Sequence, residues 1–510
     1  MRGGNMGLQD FTVYDLIARN ALIFARRVAW VIDQKRLTFI DFYNNINSLA
    51  YNLEIAGLEK GDRIGILSQN CYEFVLLYGA AARLGAIMLP LNWRLSASEV
   101  EYILSDGRPR FLFMGPDYKT TIRGLKPKLG FIEKFYSFGE AEAEFEAFTT
   151  LTKGEGEAKE VDIQASDPYL IIHTAAVAGK PRGAALSQGN IVAGNLQHMA
   201  TMGLREGDSY LHMLPLFHIA DLALSFAVMH AGGKNVLMTK FDPELALQLI
   251  EKEKITTLGE FPPMLGMLLE KLQGKNYDIS SLKHVGGIDH PSNIEKLKKK
   301  ANVEFWIGFG QSETTGMVTV CAYTERPGSA GKEGPLAKIK LVDDHDREVP
   351  VGTPGEICVR GPLVFLGYWR LEEDTRYTFR QGWHHTGDIG RLDENGYLWY
   401  VKRKAEKELI KPGGENVYPA EVEKAILEHP EVADVAVIGV RDKEWGEAVK
   451  AVCVLKTGSI LTQQGLIDFV ASKIARYKKP KYVDFVLALP KTQEGAVDRE
   501  KVKAEYGKAS

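Results

Sequence analysis

Cysteine is scarce: Cys71, Cys321, Cys358 and Cys453 are four in 510 residues, and no two form a CxxC pair. That spacing argues against a disulfide framework or a thiolate zinc site and suits a reducing compartment. An excess of either charge is also missing, with 63 basic against 66 acidic side chains and a formal charge of −3. A nucleic-acid binder normally carries a basic excess or stripe, so no nucleic-acid partner is expected. Long apolar runs are absent. The best membrane candidate, Tyr72 to Trp93, is interrupted by Glu73 and Arg83, whereas a spanning helix needs about 20 predominantly apolar residues. The opening MRGGNMGLQDF lacks the apolar core of a secretory signal. The expectation is a cytoplasmic chain without a transmembrane segment, of two to four domains at roughly 100–200 residues each.

Glycine, by contrast, is plentiful at 50 residues, often at the ends of short apolar runs. Arg63–Leu67 (RIGIL) reads as a buried strand, Tyr72–Leu84 as a helix and Ala86–Pro90 as a second strand. Strand, helix, strand at this spacing is a βαβ unit and implies a parallel sheet covered on both faces. The rhythm returns at Thr38–Ala56, Tyr169–Gln197, Asn235–Leu237 and Ile255–Leu272. The Glu-rich stretch Lys119–Glu160 reads as surface helices and a linker. From Ile339 short strands separated by turns predict a small antiparallel or barrel-like subdomain. The charged stretch Lys402–Glu408 precedes a compact mixed unit, with helices at Ala420–Glu428 and Gln463–Ile474 and strands at Val435–Val440, Val449–Leu455 and Val483–Val486.

Several constellations carry chemistry, each with a plainer alternative. Tyr169–Ser187 (YLIIHTAAVAGKPRGAALS) places a loop of small residues, with Lys180 and Arg182, between two apolar runs. Converging backbone N–H groups there suit a polyphosphate, or the loop is a tight strand connection. Val303–Thr315 (VEFWIGFGQSETT) brings an aromatic between glycines, a hydroxyl at Ser312 and a hard oxygen ligand for Mg²⁺ at Glu313; a capped strand end fits as well. Asp388, in the glycine-rich GWHHTGDIG, offers one carboxylate to two ribose hydroxyls, or is a turn residue. His218, in LPLFH, is an imidazole after a proline turn, or a packed residue. Lys411–Glu423 (KPGGENVYPAEVE) has a doubled glycine that permits close approach of an extended ligand, or is a plain turn before a helix.

Order and spacing together are more specific than any one signal. From Leu37 to about Arg499, with GPLVFLGYW at Gly361–Trp369, DVAVIGVRDKEWGEAV at Asp434–Val449, Ile474–Lys478 and LPKT at Leu489–Thr492, the chain resembles the AMP-binding acyl-CoA synthetases of the adenylate-forming superfamily. The resemblance implies an α/β fold: a large N-terminal domain of two α/β sheets plus a β-barrel-like subdomain (1–403, subdomain about 335–403), and a small mobile α+β C-terminal domain (404–510). It implies ATP, Mg²⁺ and coenzyme A, a small-molecule carboxylic acid as partner, and room for a homodimer. Acyl-AMP and pyrophosphate form first; the small domain then rotates and the CoA thiol displaces AMP.

Carried over by position, the resemblance assigns catalysis to Ser312, Glu313, His218 and Arg403, with Glu313 on the metal. Thr174, Gly179, Lys180, Arg182, Gly286, Gly287, Phe309, Gly310, Ser312, Asp388 and Arg403 would bind the nucleotide. Gly413, Gly414 and Arg476 would bind CoA, and His218, Trp306 and Gly310 would line the acyl pocket. Gly310 stands where acetate-restricted members carry tryptophan, so an open channel for medium, long or cyclic acids is expected, with Trp306 either shortening it or packing in the core.

The departures are as informative. The family's phosphate loop, roughly TSGTTGxPKG, here reads TAAVAGKPRG from Thr174 to Gly183, so three hydroxyls and a glycine are replaced by alanine or valine. The C-terminal PKTxxGK ends in Ala496 instead of lysine. The segment from Arg403 to the Gly-Gly turn is two residues longer than usual, leaving the hinge among Lys404, Glu406, Lys407 and Glu408. The adenine-side GGAP-like segment has become Gly286-Gly287-Ile288-Asp289. Losses of side-chain chemistry fall on adenylation, so the thioester-forming machinery is expected to be the more intact. The alternatives are a weakened homologue that binds nucleotide or acyl-CoA as sensor or scaffold, and a ligase that passes the acyl group to a carrier protein.

Overall fold

The computed structural model describes residues 10–154, 156–174, 181–404, 409–491 and 497–508. The expected strand Arg63–Leu67 and helix Tyr72–Leu84 form with those bounds, and the second strand is Ile87–Pro90. Gly85, at φ 66°, ends the helix in the left-handed conformation that costs a residue without a Cβ little.

Two large sheets result. One has eight strands in the order Gly367–Tyr368, Arg182–Ser187, Pro168–Thr174, Ile87–Pro90, Arg63–Leu67, Phe111–Met114, Lys134–Ser137 and Glu146–Ala147. The other has nine, in the order Lys332–Glu333, Gly316–Ala322, Glu304–Gln311, His284–Gly287, Thr257–Glu260, Ser209–His212, Lys234–Leu237, Val28–Ile32 and Lys35–Thr38. Helices Val13–Ile23, Phe39–Ile55, Tyr72–Leu84, Gln188–Met202 and Ile219–His230 contribute to one apolar core with strands of both sheets. Separate cores under Met264–Gly274 and Pro291–Lys300, and under Ala97–Gly107, cover the outer faces. Burial on both faces accounts for the near-continuous apolar runs of these strands. The stretch read as surface helices and linker is partly corrected: Lys134–Ser137 pairs in parallel with Phe111–Met114 inside the eight-stranded sheet. Its four residues are too short to show periodicity among charged neighbours.

After residue 337 a four-stranded antiparallel sheet forms from Lys338–Val342, Gly355–Arg360, His384–Leu392 and Leu398–Arg403. The last hundred residues fold around Val432–Asp442, Gly446–Leu455 and Tyr482–Val486. Here period two is visible in the packing. Val435 and Val437 meet helices Pro419–Leu427 and Gln463–Lys473, whereas Ala436, Ile438 and Val440 meet Arg499–Tyr506 through Val502.

Candidate active site

The C-terminal ends of the parallel strands converge at the crevice where the last hundred residues meet the large lobe, the position at which open α/β sheets commonly place ligands. Ser312 begins a short helical turn, Ser312–Thr314, directly after strand Glu304–Gln311. The turn presents Glu313, which is 8% exposed. Its Oε1 accepts from Thr174 Oγ1 at 3.2 Å and from Tyr368 OH at 3.0 Å. Arg182 in turn donates to Tyr368 OH at 3.0 Å, lies 3.8 Å over its ring and pairs with Asp374 at 2.7 Å. Two donors on one oxygen fix the carboxylate and leave Oε2 without a hydrogen bond among the described residues. A single oriented carboxylate fits Mg²⁺, which usually takes one or two carboxylates and fills its shell with phosphates and water.

Asp388 lies on the same side, linked through Gln311. It is 1% exposed, on strand His384–Leu392, in register with Arg403. Gln311 Nε2 and Tyr400 OH donate to it, Tyr400 at 3.1 Å, and Arg403 Nε stands 3.3 Å away. A carboxylate has about four lone-pair sites, so capacity remains for a ligand hydroxyl. Phe309 is buried in a core cluster with Val318, Leu341 and Ile357, and its ring stacks on Tyr400 at 6.5 Å. Gly286 pairs with Trp306, and Gly287 with Glu260. A Cβ on Gly287 would lie 2.1 Å from the Glu260 carbonyl oxygen, which demands glycine there. Burial, then the Asp289 charge, push the buried Glu260 carboxyl well above its usual range.

One acyl-pocket expectation is corrected. Gly310 does not open a channel by its own missing side chain, because a Cβ there would sit 2.0 Å from the Gly316 carbonyl oxygen. The glycine serves the close hairpin at an irregularity in the pairing of the two strands. Trp306 is half-buried, packs beside Met202, Tyr210 and Leu224, and donates through Nε1 to His284 Nδ1 at 3.2 Å. A Cβ on Gly286 would lie 3.8 Å from Met317 and 3.7 Å from Leu224.

From the small lobe, Gly413 and Gly414 both adopt positive φ, 56° and 83°. A Cβ on Gly414 would lie 3.2 Å from Phe261 of the large lobe, and one on Gly413 would lie 2.7 Å from Trp445 of the same small lobe, so a side chain at either position would be strained. Glu415 follows directly. It pairs with Arg94, accepts from Asn92 Nδ2 at 3.2 Å and stands 3.6 Å from His218 Nε2. Burial opposes the Glu415 charge, but His218, Arg94 and Asn92 outweigh it and hold the carboxyl below its usual range. Lys478 adds a second bridge between lobes, contacting Glu99 and, at 2.7 Å, Glu421. Lys411 is held down at about 8, first by surrounding protein and then by the Arg403 charge.

The structure therefore gathers Thr174, Arg182, Glu313, Asp388 and Arg403 on one side of the crevice and His218 with Gly413 and Gly414 on the other. Arg476 is exposed at the start of the turn Arg476–Lys478. Gly179, Lys180 and Ala496 lie outside the described residues, as do three of the four hinge candidates. Lys404, the fourth, pairs with Glu356 at 3.0 Å. Among the residues missed in the sequence are Tyr368, Gln311, Tyr400, Arg94 and Glu415. Of these only Glu415 carried a signal, as the neighbour of the doubled glycine.

A large lobe of two α/β sheets, a small terminal lobe and a carboxylate-lined crevice between them define an adenylate-forming architecture. The chain belongs to the AMP-binding enzyme family: residues 17–369 match the AMP-binding enzyme model and 421–496 match its C-terminal domain. It is 33% identical over 498 residues to the indoleacetate–CoA ligase of Aromatoleum aromaticum, covering 96% of each chain. It is 31% identical to a feruloyl-CoA synthase from Amycolatopsis, covering 92% of this chain and 94% of that one. Among solved structures, o-succinylbenzoate CoA synthetase of Bacillus subtilis with a product analogue superposes with a TM-score of 0.85 at 28% identity, covering 97% and 99% of the two chains. The same enzyme with AMP gives 0.70 at 27% identity, covering 97% and 98%. The protein is thus an acid–thiol ligase of the AMP-binding class, and among its described residues no helix is long and apolar enough to cross a membrane.

Proposed function

We propose that the protein is an AMP-forming acyl-CoA synthetase for a cyclic carboxylic acid, an aryl or arylalkyl carboxylate, and that it adopts the thioester-forming arrangement here. The observation that carries the reading is the seating of Gly413-Gly414-Glu415 against Phe261 and His218, across the crevice from Glu313 and Asp388. The better superposition on the product-analogue complex supports the lobe arrangement. We take 1–403 and 404–510 as the two bodies that move.

In this reading Asp388 and Arg403 hold the ribose, and Gly286–Gly287 with Phe309 border the base. Ser312, Thr174 and Arg182 face the phosphates. Glu313 would hold Mg²⁺, which supplies charge neutralisation on the phosphates when bound. Fixed donors and cations there stabilise the pentavalent phosphorus more than the ground state. The carboxylate attacks the α-phosphorus and pyrophosphate leaves. Rotation of the small lobe then brings the doubled glycine alongside, leaving a passage for pantetheine. The acyl body lies along Gly286 and Gly308 and ends at Trp306 and His284. The ring-bearing acids of the relatives named above support a compact body over a long chain.

The test is incubation with ATP, Mg²⁺, CoA and a panel of indole-3-acetate, phenylacetate, ferulate, octanoate, palmitate and acetate. AMP and thioester should appear together, fastest with a ring-bearing acid. An optimum at palmitate or acetate refutes the substrate class, and AMP without thioester refutes CoA as acceptor.

A further inference from the structure

We propose that His198 is a specificity-determining residue of the acyl pocket, where its Nε2 accepts a hydrogen bond from an N–H or O–H on the substrate's ring, so that the acids turned over are ring-bearing acids with such a donor. The inference rests on the CoA-ligase reading and deepens it by naming what the ring carries.

Helix Gln188–Met202 turns one face to helix Ile219–His230. Ile191 joins Leu222 and Phe226 of that helix in one core, and Met202 joins Leu224 and Ala227 in another. Ile191, Asn195, His198 and Met202 recur at the spacing that sets side chains on one side of a helix. Asn195 and His198 therefore stand between two apolar anchors, and they are 1% and 6% exposed. Strand Gly316–Ala322 begins beside them. A Cβ on Gly316 would lie 3.3 Å from Ala223 Cβ, 3.4 Å from His198 Cε1 and 4.0 Å from His198 Nε2. Met317, the next residue, would have its sulfur 2.6 Å from a Cβ on Gly308 and its methyl 3.8 Å from one on Gly286. The imidazole thus borders the strip of bare backbone along which the acyl body is placed. Gln197 ties the helix to this hairpin, donating to the Met317 carbonyl and accepting from Leu336 N at 3.0 Å.

The hydrogen bonding of the ring fixes its tautomer. Nδ1 lies 2.8 Å from the Gly194 carbonyl oxygen, which can only accept, so Nδ1 carries a proton. Burial outweighs this bond and holds the pKa below the usual histidine range, so the ring is neutral. Nε2 is then a bare acceptor, without a partner among the described residues. Asn195 Nδ2 is likewise buried without one. Buried polar groups are normally hydrogen-bonded, and the neighbouring Ala223, Leu224 and Met317 side chains have no donor to offer. A ring N–H or O–H supplies it. A ring with no donor seals Nε2 away from water unpaired, which is how a polar group in an apolar pocket rejects a ligand of the right shape.

The experiment measures kcat/KM for thioester formation with ATP, Mg²⁺ and CoA on two matched pairs of acids, indole-3-acetate against benzothiophene-3-acetate and 4-hydroxyphenylacetate against phenylacetate. Each pair differs by one ring donor at nearly constant shape. On the wild-type enzyme the donor-bearing member of at least one pair should lead by about tenfold, the usual worth of a neutral hydrogen bond. H198F keeps a flat ring and removes the acceptor, so it should bring that ratio to about one. If H198F does not fold, H198L takes its place with the same expectation. A merely structural loss lowers both members of a pair together and leaves the ratio where it was. Wild-type ratios of about one in both pairs overturn the proposal, and so does a ratio that survives loss of the imidazole. A protein that forms no thioester with any acid overturns the CoA-ligase reading and this inference with it. Thioester formed from the ring-bearing acids at equal rates within both pairs overturns only the inference.

Discussion

The two sides of the crevice are built differently. For the side that the proposed function gives to the phosphates, the sequence has alanine and valine where the resemblance expects hydroxyls, and Ala496 where it expects a lysine. The side facing the small lobe is dense with charge: Arg94 and His218 meet Glu415 across it, Glu99 meets Lys478, and Glu421 backs Lys478 from the small lobe. Under the proposed function, the substitutions fall on adenylation while the lobe interface belongs to thioester formation. The comparison makes each half-reaction's residues separately testable, by pyrophosphate release on one side and thioester formation from preformed acyl-adenylate on the other.

The largest effect falls on the phosphate side. Glu313, held by Thr174 and Tyr368, is an oriented carboxylate there. Glu313→Gln should lower Mg²⁺-dependent pyrophosphate release by about 10²–10³-fold, the cost of one preorganised electrostatic group. Thioester formation from preformed adenylate should change by less than about threefold. Equal losses in both assays would erase the division. Ala496→Lys sharpens it from the other direction: pyrophosphate release should rise by up to about 10²-fold if the position still reaches the phosphate. An unchanged rate would show that another cation already fills that place.

A smaller, opposite signature belongs to the interface. Lys478 is 5% exposed and bridges Glu99 of the large lobe to Glu421 of the small one. Burial and then Glu421 and Glu99 act on it in opposite directions, and the carboxylates win, holding its pKa up. Lys478→Met leaves two carboxyls facing each other. Removing one partner of a buried pair costs about 3–5 kcal/mol when the rest cannot escape. Here the lobes can part and water can enter, so about tenfold slower thioester formation is expected, with pyrophosphate release unchanged. A fall confined to pyrophosphate release would reverse the assignment of this bridge.

How much of this was readable beforehand follows from distance along the chain. The strand Arg63–Leu67 and helix Tyr72–Leu84 are local patterns and formed with the bounds read from sequence. The Gly-Gly turn was legible because positive φ has few other tenants. Tyr368 beside Glu313 and Glu415 beside His218 were not, since nothing local in either segment encodes the partner. Gly310 was misread for a related reason. A missing side chain looks like space in a sequence, while in the fold its Cβ position is taken by the Gly316 carbonyl. The strand Lys134–Ser137 was hidden because its pairing with Phe111–Met114, not its composition, makes it a strand.

The smallest effect concerns Lys411, next to the doubled glycine. Surrounding protein and the Arg403 charge lower its pKa to about 8, while an unfolded chain keeps it near the ordinary lysine value. Between those two values the unfolded state binds more protons than the folded one, so this group makes stability rise with pH in that window. Below pH 8 both states carry the charge and the full cost of confining it is present. Lys411→Met removes that cost, so it should raise the melting temperature at pH 7, with the gain shrinking as pH climbs from 8 toward 10. Lys411 is exposed to solvent, which screens the charge and keeps the expected gain to about one or two degrees. A gain that grows with pH would mean that Asp388 and Glu447 favour the charge more than Arg403 and burial oppose it. It would also place a firm cation, and not a reluctant one, between the nucleotide side and the small lobe.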